Sequence, residues 1–123
     1  YKRIDIALDP FPYGGGTTSL DALWMGVPLV TLAGQTALSR TGVTLLSNLG
    51  LTELIAESPD QYIHIAASLA ADLPKLAELR RTLRQRLSLS VLMDATRYTR
   101  NLEAAYRHAW KQWCRAGFNP PIQ

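Results

Sequence analysis

Three consecutive glycines, Gly14 to Gly16, separate a short apolar segment from a helical pattern, and they constrain the fold more than any other feature. The apolar segment, Ile4 to Leu8, predicts a β-strand, and the turn spans Pro10 to Gly16. The helix is predicted to begin near Thr17 or Thr18. Its apolar residues share one face: Leu20, Leu23, Trp24 and Val27. A strand, a glycine-rich turn and a helix in this order are typical of α/β folds that bind phosphate.

The start of this helix has the properties of an anion site. The first N–H groups of a helix have no intrahelical partner, and the positive end of the helix dipole favours a negative charge. Glycines let a ligand approach the backbone closely, and the two threonines add hydroxyl donors. The candidate phosphate-binding residues are therefore Gly15, Gly16, Thr17 and Thr18. Asp21, one turn into the helix, is placed to accept hydrogen bonds from ribose hydroxyls.

The same residues also allow a purely structural interpretation. Thr18 and Asp21 fit the Ser/Thr-x-x-Asp/Glu capping pattern, which needs no ligand. The segment is neither GxGxxG nor a Walker loop with its lysine, so it matches neither common phosphate-loop pattern. Spacing alone leaves phosphate binding and helix capping both open.

Further strands and helices alternate after the glycine turn. Pro28 to Leu32 predicts a second, buried strand, and Glu53 to Ala56 a short third one. A helix over Ala37 to Leu49, closed by Gly50, joins them. Strands joined by helices imply a parallel sheet with right-handed crossovers. The predicted fold is α/β, a partial Rossmann-like domain whose remaining strands are missing, so the isolated chain is expected to be marginally stable or to associate with itself.

Only helical signals follow residue 57. Ser58 as N-cap, followed by Pro59 and Gln61, predicts a helix start. The inward face of that helix is predicted to be Tyr62, Ala66, Leu69 and Leu73. The next helix has a leucine face, Leu76, Leu79, Leu83 and Leu87. A last helix, Met93 to Arg115, carries one stripe of Tyr98, Leu102, Tyr106, Ala109 and Trp113, with Trp110 beside it. This stripe suits core packing or an interdomain contact equally.

Charge divides the chain into two parts. Residues 1–74 carry three basic and seven acidic side chains, whereas residues 75–123 carry ten basic and three acidic ones. We therefore predict a nucleotide-diphosphate-binding α/β part over 1–74 and basic amphipathic helices of the same domain over 75–123. The arginines are densest at Arg80, Arg81, Arg84 and Arg86. Because they alternate with the leucine face and no aromatic residue lies among them, they are interpreted as a solvated face, and no nucleic-acid partner is expected.

Residues 9–34 resemble the nucleotide-sugar site of O-linked N-acetylglucosamine transferases and their SPINDLY-type relatives, glycosyltransferase family 41. The segment reads Asp-Pro-Phe-Pro-Tyr-Gly-Gly-Gly-Thr-Thr-Ser-Leu-Asp-Ala-Leu-Trp-Met-Gly-Val-Pro-Leu-Val-Thr-Leu-Ala-Gly. The similarity continues through Ser39-Arg40 with Gly42-Val43, through Leu49 to Glu57, and through the late helix from Tyr98 to Trp113.

This resemblance implies a GT-B glycosyltransferase, with this chain as the latter part of its C-terminal, donor-binding domain. It implies that Thr17 and Thr18 contact the donor phosphates and that Asp21 holds the ribose. The implied reaction transfers N-acetylglucosamine from UDP-N-acetylglucosamine to Ser or Thr of proteins. The acceptor would bind through parts of the enzyme outside this chain, including upstream TPR helical repeats, and this chain would pack against that remainder.

Gly16 departs from part of the family pattern. Animal and many bacterial members have His immediately before the threonine pair, whereas plant SPINDLY-type members, which transfer fucose from a guanine nucleotide, also lack it. Asp21 favours the N-acetylglucosamine donor, because the plant relatives carry Glu there. GDP-fucose is therefore the alternative donor.

Several negative expectations complete the sequence interpretation. No catalytic residue is recognisable, so the isolated chain is expected to be inactive. His64 and His108 have no second ligand at metal spacing, and neither a metal nor a cofactor is expected. The single Cys114 suits a cytoplasmic location, and no segment is long and apolar enough for a membrane partner. A GT-B sugar-nucleotide epimerase and a non-enzymatic partner-binding or nucleic-acid-binding module remain alternatives.

Overall fold

A computed structural model describes residues 1–116 of the chain. These residues form two compact units, one over Tyr1–Met93 and a second that begins at Asp94. The first unit extends past residue 74 and includes the leucine-faced helix, so that helix belongs structurally with the sheet. The functional division at residue 74 stays a prediction.

The first unit contains a small sheet and four α-helices. In chain order its elements are β1 Ala7–Leu8, α1 Thr17–Trp24, β2 Leu29–Leu32, α2 Thr41–Asn48, β3 Ile55–Ala56, α3 Pro59–Ala71 and α4 Leu73–Ser88. Three short 3₁₀ turns, Leu38–Arg40, Thr52–Leu54 and Val91–Met93, lie between or after these elements. The second unit is a single described helix, α5, over Ala95–Arg115.

The sheet is parallel, with β2 between β1 and β3. Ala7 aligns with Leu29, and Thr31 aligns with Ile55. All three strands therefore point the same way, and the segments that follow them emerge at one edge of the sheet. The predicted α/β class and parallel sheet are confirmed.

The two outer strands are shorter than the sequence predicts. At Ile4, the backbone carbonyl accepts a hydrogen bond from Arg80 Nη1 at 2.6 Å instead of joining the sheet. At the third strand, Thr52–Leu54 forms a 3₁₀ turn, in which Leu54 N–H donates to Leu51 O at 3.1 Å. A local sequence pattern does not distinguish a strand that joins the sheet from a turn beside it.

The core is formed by leucines between the sheet and the helices. Its most enclosed members are Leu23, Val27, Val30, Leu46, Leu51, Leu54, Leu83 and Leu87. All four leucines of the predicted α4 face are buried, and the arginines between them lie at the surface or only half-buried. The amphipathic interpretation of α4 is confirmed.

The predicted helix ends are mostly correct. Gly50 has φ +67, its N–H donates to Ser47 O at 3.2 Å, and Leu51 N–H donates to Leu46 O at 2.9 Å. These two bonds are the Schellman arrangement that a glycine stop predicts. The predicted helix over Ala37 to Leu49 is a 3₁₀ turn followed by α2.

The third helix begins as predicted but ends earlier. Ser58 Oγ accepts from Gln61 N–H at 3.2 Å, and Gln61 Oε1 accepts from Glu57 N–H at 2.7 Å. The assignment of Leu73 to its inward face is wrong, since Leu73 is 68% exposed. Asp72 ends α3 and caps α4 by accepting from Lys75 N–H, so Leu73 opens a new helix with a different face.

Asp94 caps α5 by accepting a hydrogen bond from Arg97 N–H at 2.9 Å. Tyr98 and Tyr106 of the stripe are exposed, as is Trp110 beside it. An interdomain role for this stripe stays a prediction.

Candidate functional site

The glycine turn lies where β1 leaves the sheet, and it leads directly into α1. We call residues 15–18 the mouth of α1. Thr17 and Thr18 are exposed, as is Asp21 one turn further, and Gly16 is open to solvent. The structure thus places all the predicted donor-site residues on one short, accessible segment at the carboxyl edge of the sheet, where open α/β folds bind ligands.

A buried carboxylate lies beneath this turn. Asp9 directly follows β1 and is 2% exposed. Its Oδ1 accepts hydrogen bonds from Gly15 N–H at 2.8 Å and from the Ser19 hydroxyl at 3.0 Å. Its Oδ2 accepts from the Thr31 hydroxyl of β2 at 2.7 Å. One side chain therefore joins the sheet, the turn and the first turn of α1.

Glycines surround the Asp9 carboxylate because no side chain fits there. A Cβ on Gly14 would lie 3.2 Å from Asp9 Oδ2, and one on Gly15 would lie 3.2 Å from Asp9 Oδ1 and overlap the Ser19 hydroxyl. A Cβ on Gly42, in α2, would overlap both the Thr31 hydroxyl and Asp9 Oδ2. Gly14, Gly15 and Gly42 thus have a common structural cause, the close approach of two backbone segments to one carboxylate.

The donors at the mouth differ in one respect from the expected set. Gly15 N–H is directed at Asp9, so it stabilises the turn from within instead of facing outward. The N-cap of α1 is Gly16, and no side chain caps the helix. The capping-box interpretation of Thr18 and Asp21 is therefore wrong. Within residues 1–116, the first N–H groups of α1 have no capping side chain, and the exposed residues that carry further backbone and hydroxyl donors are Gly16, Thr17 and Thr18.

A cleft lies beside the turn at the same edge of the sheet. It has a volume of about 330 Å³ and is lined by Phe11 and Pro12 of the turn and by the segment Leu32 to Thr36 with Ser39. The segment after β2 is held in shape locally, because Arg40 Nη1 donates to Gly34 O at 3.0 Å and Ser39 Oγ donates to Thr36 O at 3.0 Å. The first half of the glycine turn therefore borders a largely apolar space.

Tyr62 of α3 contacts the residue that directly follows β1. Its hydroxyl donates to the backbone carbonyl of Asp9 at 2.8 Å, and its ring meets Phe11 edge to face at 5.7 Å between centroids. Burial raises the pKa of Tyr62 above its usual value of 10.0, and the negative charge of Asp9 raises it further. The tyrosine is therefore protonated at neutral pH and acts as a donor.

Neither histidine lies in a metal-type cluster. His64 is exposed on α3, with Nε2 3.5 Å from Ser68 Oγ, and His108 is exposed on α5. Over residues 1–116, no three His, Cys, Asp or Glu side chains are grouped so as to hold a metal ion. In the same range, no helix combines the length and apolar composition needed to cross a bilayer.

A parallel sheet flanked by helices places the chain in the class of open α/β domains, in which ligands bind at the carboxyl edge of the sheet. The sequence matches the family described as Glycosyl transferase family 41 over residues 2–102. The chain belongs to this family, which confirms the resemblance found in the sequence.

Known proteins are similar in sequence to this chain over most of its length. It is 46% identical over 114 residues to the probable UDP-N-acetylglucosamine-peptide N-acetylglucosaminyltransferase SPINDLY of Oryza sativa subsp. japonica, covering 93% of this chain and 12% of that protein. It is 33% identical to the UDP-N-acetylglucosamine-peptide N-acetylglucosaminyltransferase of Caenorhabditis elegans, covering 89% of this chain and 10% of that protein. A solved structure of a mutant O-GlcNAc transferase from Thermobaculum terrenum is 47% identical with a TM-score of 0.84, covering 92% of this chain and 22% of that one. The chain thus spans about an eighth of the plant relative's length.

Sequence reasoning identified the mouth of α1 but missed the residues that support it. An aspartate directly after a strand is common, so the position of Asp9 alone does not indicate its role. Its partners Ser19 and Thr31 lie 10 and 22 positions away in the sequence. The only available signal for Gly42 was that glycine weakens a helix, so its presence near the start of α2 indicates a close contact.

Proposed function

We propose that this chain is the donor-binding part of a protein O-glycosyltransferase, which transfers N-acetylglucosamine from UDP-N-acetylglucosamine to Ser or Thr of an acceptor protein. The single observation that carries this proposal is the open mouth of α1, where Gly16 is the N-cap without a side-chain cap and Thr17 and Thr18 are exposed. Family membership and relatives with this named activity support it.

The chemistry of the mouth suits a leaving diphosphate. Sugar transfer develops negative charge on the departing β-phosphate, so donors fixed at that position stabilise the transition state more than the bound substrate. Backbone N–H groups, two hydroxyls and the helix dipole are such donors. Asp21 is assigned to the ribose hydroxyls, because an exposed carboxylate one turn into the helix is within reach of the sugar next to the phosphates.

Calorimetric binding of UDP and GDP by the protein in its full natural length tests this assignment. We expect UDP to bind more tightly than GDP. In Thr17→Ala, Thr18→Ala and Asp21→Asn variants, each lost polar contact should weaken binding by about 1 kcal/mol. If neither UDP nor GDP binds, the donor-site proposal is contradicted.

Matched substitutions away from the mouth provide the controls. Thr52→Ala and Glu53→Gln change exposed residues that precede β3, at the opposite edge of the sheet. These controls should bind UDP like the unmodified protein. A loss in them equal to that in the mouth variants would show that the substitutions act through stability and not through a contact.

A GDP-fucose-dependent O-fucosyltransferase is the second candidate, and Gly16 is the observation that favours it. Among residues 1–116, no atom lies within 4 Å of the position that a Cβ on Gly16 would occupy, at the place where other family members have a His. Preference for GDP in the same titration would support this donor. In that case Gly16→His is expected to weaken GDP binding, because it fills that space.

A further inference from the structure

We propose that Asp9 is a positioning residue for the donor diphosphate. It does not face the ligand but sets the direction of the backbone that does. This inference rests on the proposed function, since it assigns Asp9 a role at the same mouth of α1.

The hydrogen bonds of Asp9 divide between the mouth and the sheet. Oδ1 accepts from Gly15 N–H, at the first residue of the mouth, and from the Ser19 hydroxyl, at the residue directly after the mouth. The Thr31 hydroxyl, bound to Oδ2, comes from β2 at the centre of the sheet. The position of the mouth is therefore fixed to the most buried strand through a single carboxylate.

Burial makes these bonds strong constraints. Asp9 is 2% exposed, and in the part of the chain that the structure describes no basic side chain forms an ion pair with it. A buried carboxylate without a cation depends on its hydrogen-bond donors, and losing one leaves an unsatisfied charge. Rotation of Gly15 N–H away from Asp9 is therefore unfavourable, and the backbone that leads into α1 is held in one direction.

The glycines packed against the Asp9 carboxylate further restrict movement of the turn backbone. Gly14, Gly15 and Gly42 approach Asp9 so closely that a Cβ on any of them would press on the carboxylate or on a hydroxyl bound to it. Tyr62 adds a bond from α3 to the Asp9 carbonyl at 2.8 Å. The turn is thus preorganised in the absence of a ligand, and preorganisation lowers the entropy cost of binding.

The test compares Asp9→Ala with Asp9→Asn in the full-length protein, using UDP and uridine as ligands. Asp9→Ala removes the acceptor of all three bonds and should weaken UDP binding about tenfold, the size expected for losing a well-placed hydrogen bond, while uridine binding stays unchanged. Asp9→Asn should recover most of the UDP affinity, because its carbonyl still accepts from Gly15 N–H while its amide donates to the Thr31 hydroxyl. If the full-length protein prefers GDP, then GDP and guanosine take the place of UDP and uridine.

Two further variants keep the test decisive. Asp72→Ala removes a carboxylate that caps α4, accepting from Lys75 N–H at 3.0 Å, and it should leave both affinities unchanged. If Asp9→Ala does not fold, Ser19→Ala decides instead, with an expected loss of about threefold for UDP only.

The outcomes separate this inference from the proposed function. Equal weakening of UDP and uridine by Asp9→Ala, unchanged binding of both, or an Asp9→Asn variant as weak as Asp9→Ala would each overturn the positioning role. If the unmodified protein binds UDP no better than uridine, the mouth of α1 is not a diphosphate site, and both proposals fall.

Discussion

At the scale of single residues, two adjacent glycines in the mouth of α1 have opposite surroundings. A Cβ on Gly15 would overlap the Ser19 hydroxyl and lie 2.9 Å from Thr18 Oγ1, whereas a Cβ on Gly16 meets nothing within 4 Å. Gly16 also has a negative φ of −109, outside the left-handed region that favours glycine. Gly15→Ala should therefore lower the free energy of unfolding by about 1–3 kcal/mol, since Ser19 must move away from Asp9.

Gly16→Ala is the matched control for that substitution. It should change the free energy of unfolding by no more than about 0.5 kcal/mol, as most exposed substitutions do. Urea titration of both variants at the same temperature provides the comparison. Equal destabilisation by the two substitutions would mean that glycine is needed at both positions for backbone freedom and not for the approach to Asp9.

Tyr62, which contacts the turn, is expected to make the free energy of unfolding decrease at alkaline pH. The pKa of Tyr62 is raised by burial and by the nearby charge of Asp9. Above the unfolded value of about 10, the unfolded chain loses the proton first, so stability decreases as pH rises toward the folded pKa. Tyr62→Phe should cost about 1 kcal/mol at neutral pH, because the bond to the Asp9 carbonyl is lost, and should remove this part of the alkaline decline.

Denaturant titrations at about pH 8 and about pH 11 check both effects. Tyr13→Phe, at a 67% exposed tyrosine of the same turn, is the control and should behave like the unmodified protein. An alkaline decline of the same size in Tyr62→Phe would show that Tyr62 is not its source.

At the scale of secondary-structure elements, two glycines with positive φ end helices for different reasons. Gly26 follows α1 with φ +77, and a Cβ there would lie 2.6 Å from the Arg80 carbonyl of α4. Gly50 follows α2 with φ +67 and open space around it. Gly50→Ala should therefore cost about 1 kcal/mol from backbone strain alone, whereas Gly26→Ala should cost more, because α4 must also move.

Thermal unfolding of the two variants distinguishes the cost of backbone strain from the cost of moving α4. The larger loss in Gly26→Ala should be accompanied by a change around Trp24, whose ring lies 4.8 Å from the guanidinium carbon of Arg84. Tryptophan fluorescence at a temperature where the variant is folded reports that change. A similar cost for both substitutions would indicate that α1 and α4 can separate without penalty.

The elements with strong local signals are the ones that the sequence predicts well. The cap at Ser58, the stop at Gly50 and the leucine face of α4 depend on residues within one or two turns of each other, and all three are found. Leu73 continues the period of α3 in sequence, but Asp72 starts a new helix there, so the pattern gives the wrong face. Strand lengths at the sheet edges depend on long-range bonds, such as that from Arg80 to Ile4, which a local pattern does not contain.

The candidate site shows the same limit. Exposed donors at the helix start follow from the order of strand, glycines and threonines, which is visible in one short segment. The support for that start comes from Thr31, Gly42 and Tyr62 on three other elements. Their convergence on Asp9 exists only after the chain has folded, so a single sequence without homologues does not indicate it.

At the scale of the whole molecule, β1 leaves one side of the small sheet without a partner strand in the described residues. Leu8 of β1 is 57% exposed, and an apolar strand edge favours pairing with another chain. The 123-residue chain on its own is therefore expected to associate at high concentration. Leu8→Lys should reduce this association in analytical ultracentrifugation, because a charge on an edge strand opposes pairing.

Leu89→Lys is the control for the edge prediction. It places the same charge at a 79% exposed leucine that follows α4. Equal loss of association in both variants would mean that added net charge, and not the β1 edge, prevents contact between chains.

Because the 123-residue chain spans only a small part of its relatives, we predict that it does not catalyse transfer by itself. Transfer requires the donor sugar and the acceptor hydroxyl to be held about 3–3.5 Å apart, with a group that takes the hydroxyl proton. The role proposed for the mouth of α1 is limited to binding the diphosphate, and the chain spans only 12% of the rice relative and 22% of the bacterial structure. With labelled UDP-N-acetylglucosamine and an acceptor protein, we expect transfer by the full-length protein and only background with the chain alone. Time-dependent labelling by the chain, abolished by Thr17→Ala/Thr18→Ala, would contradict this and place the whole catalytic apparatus within these residues.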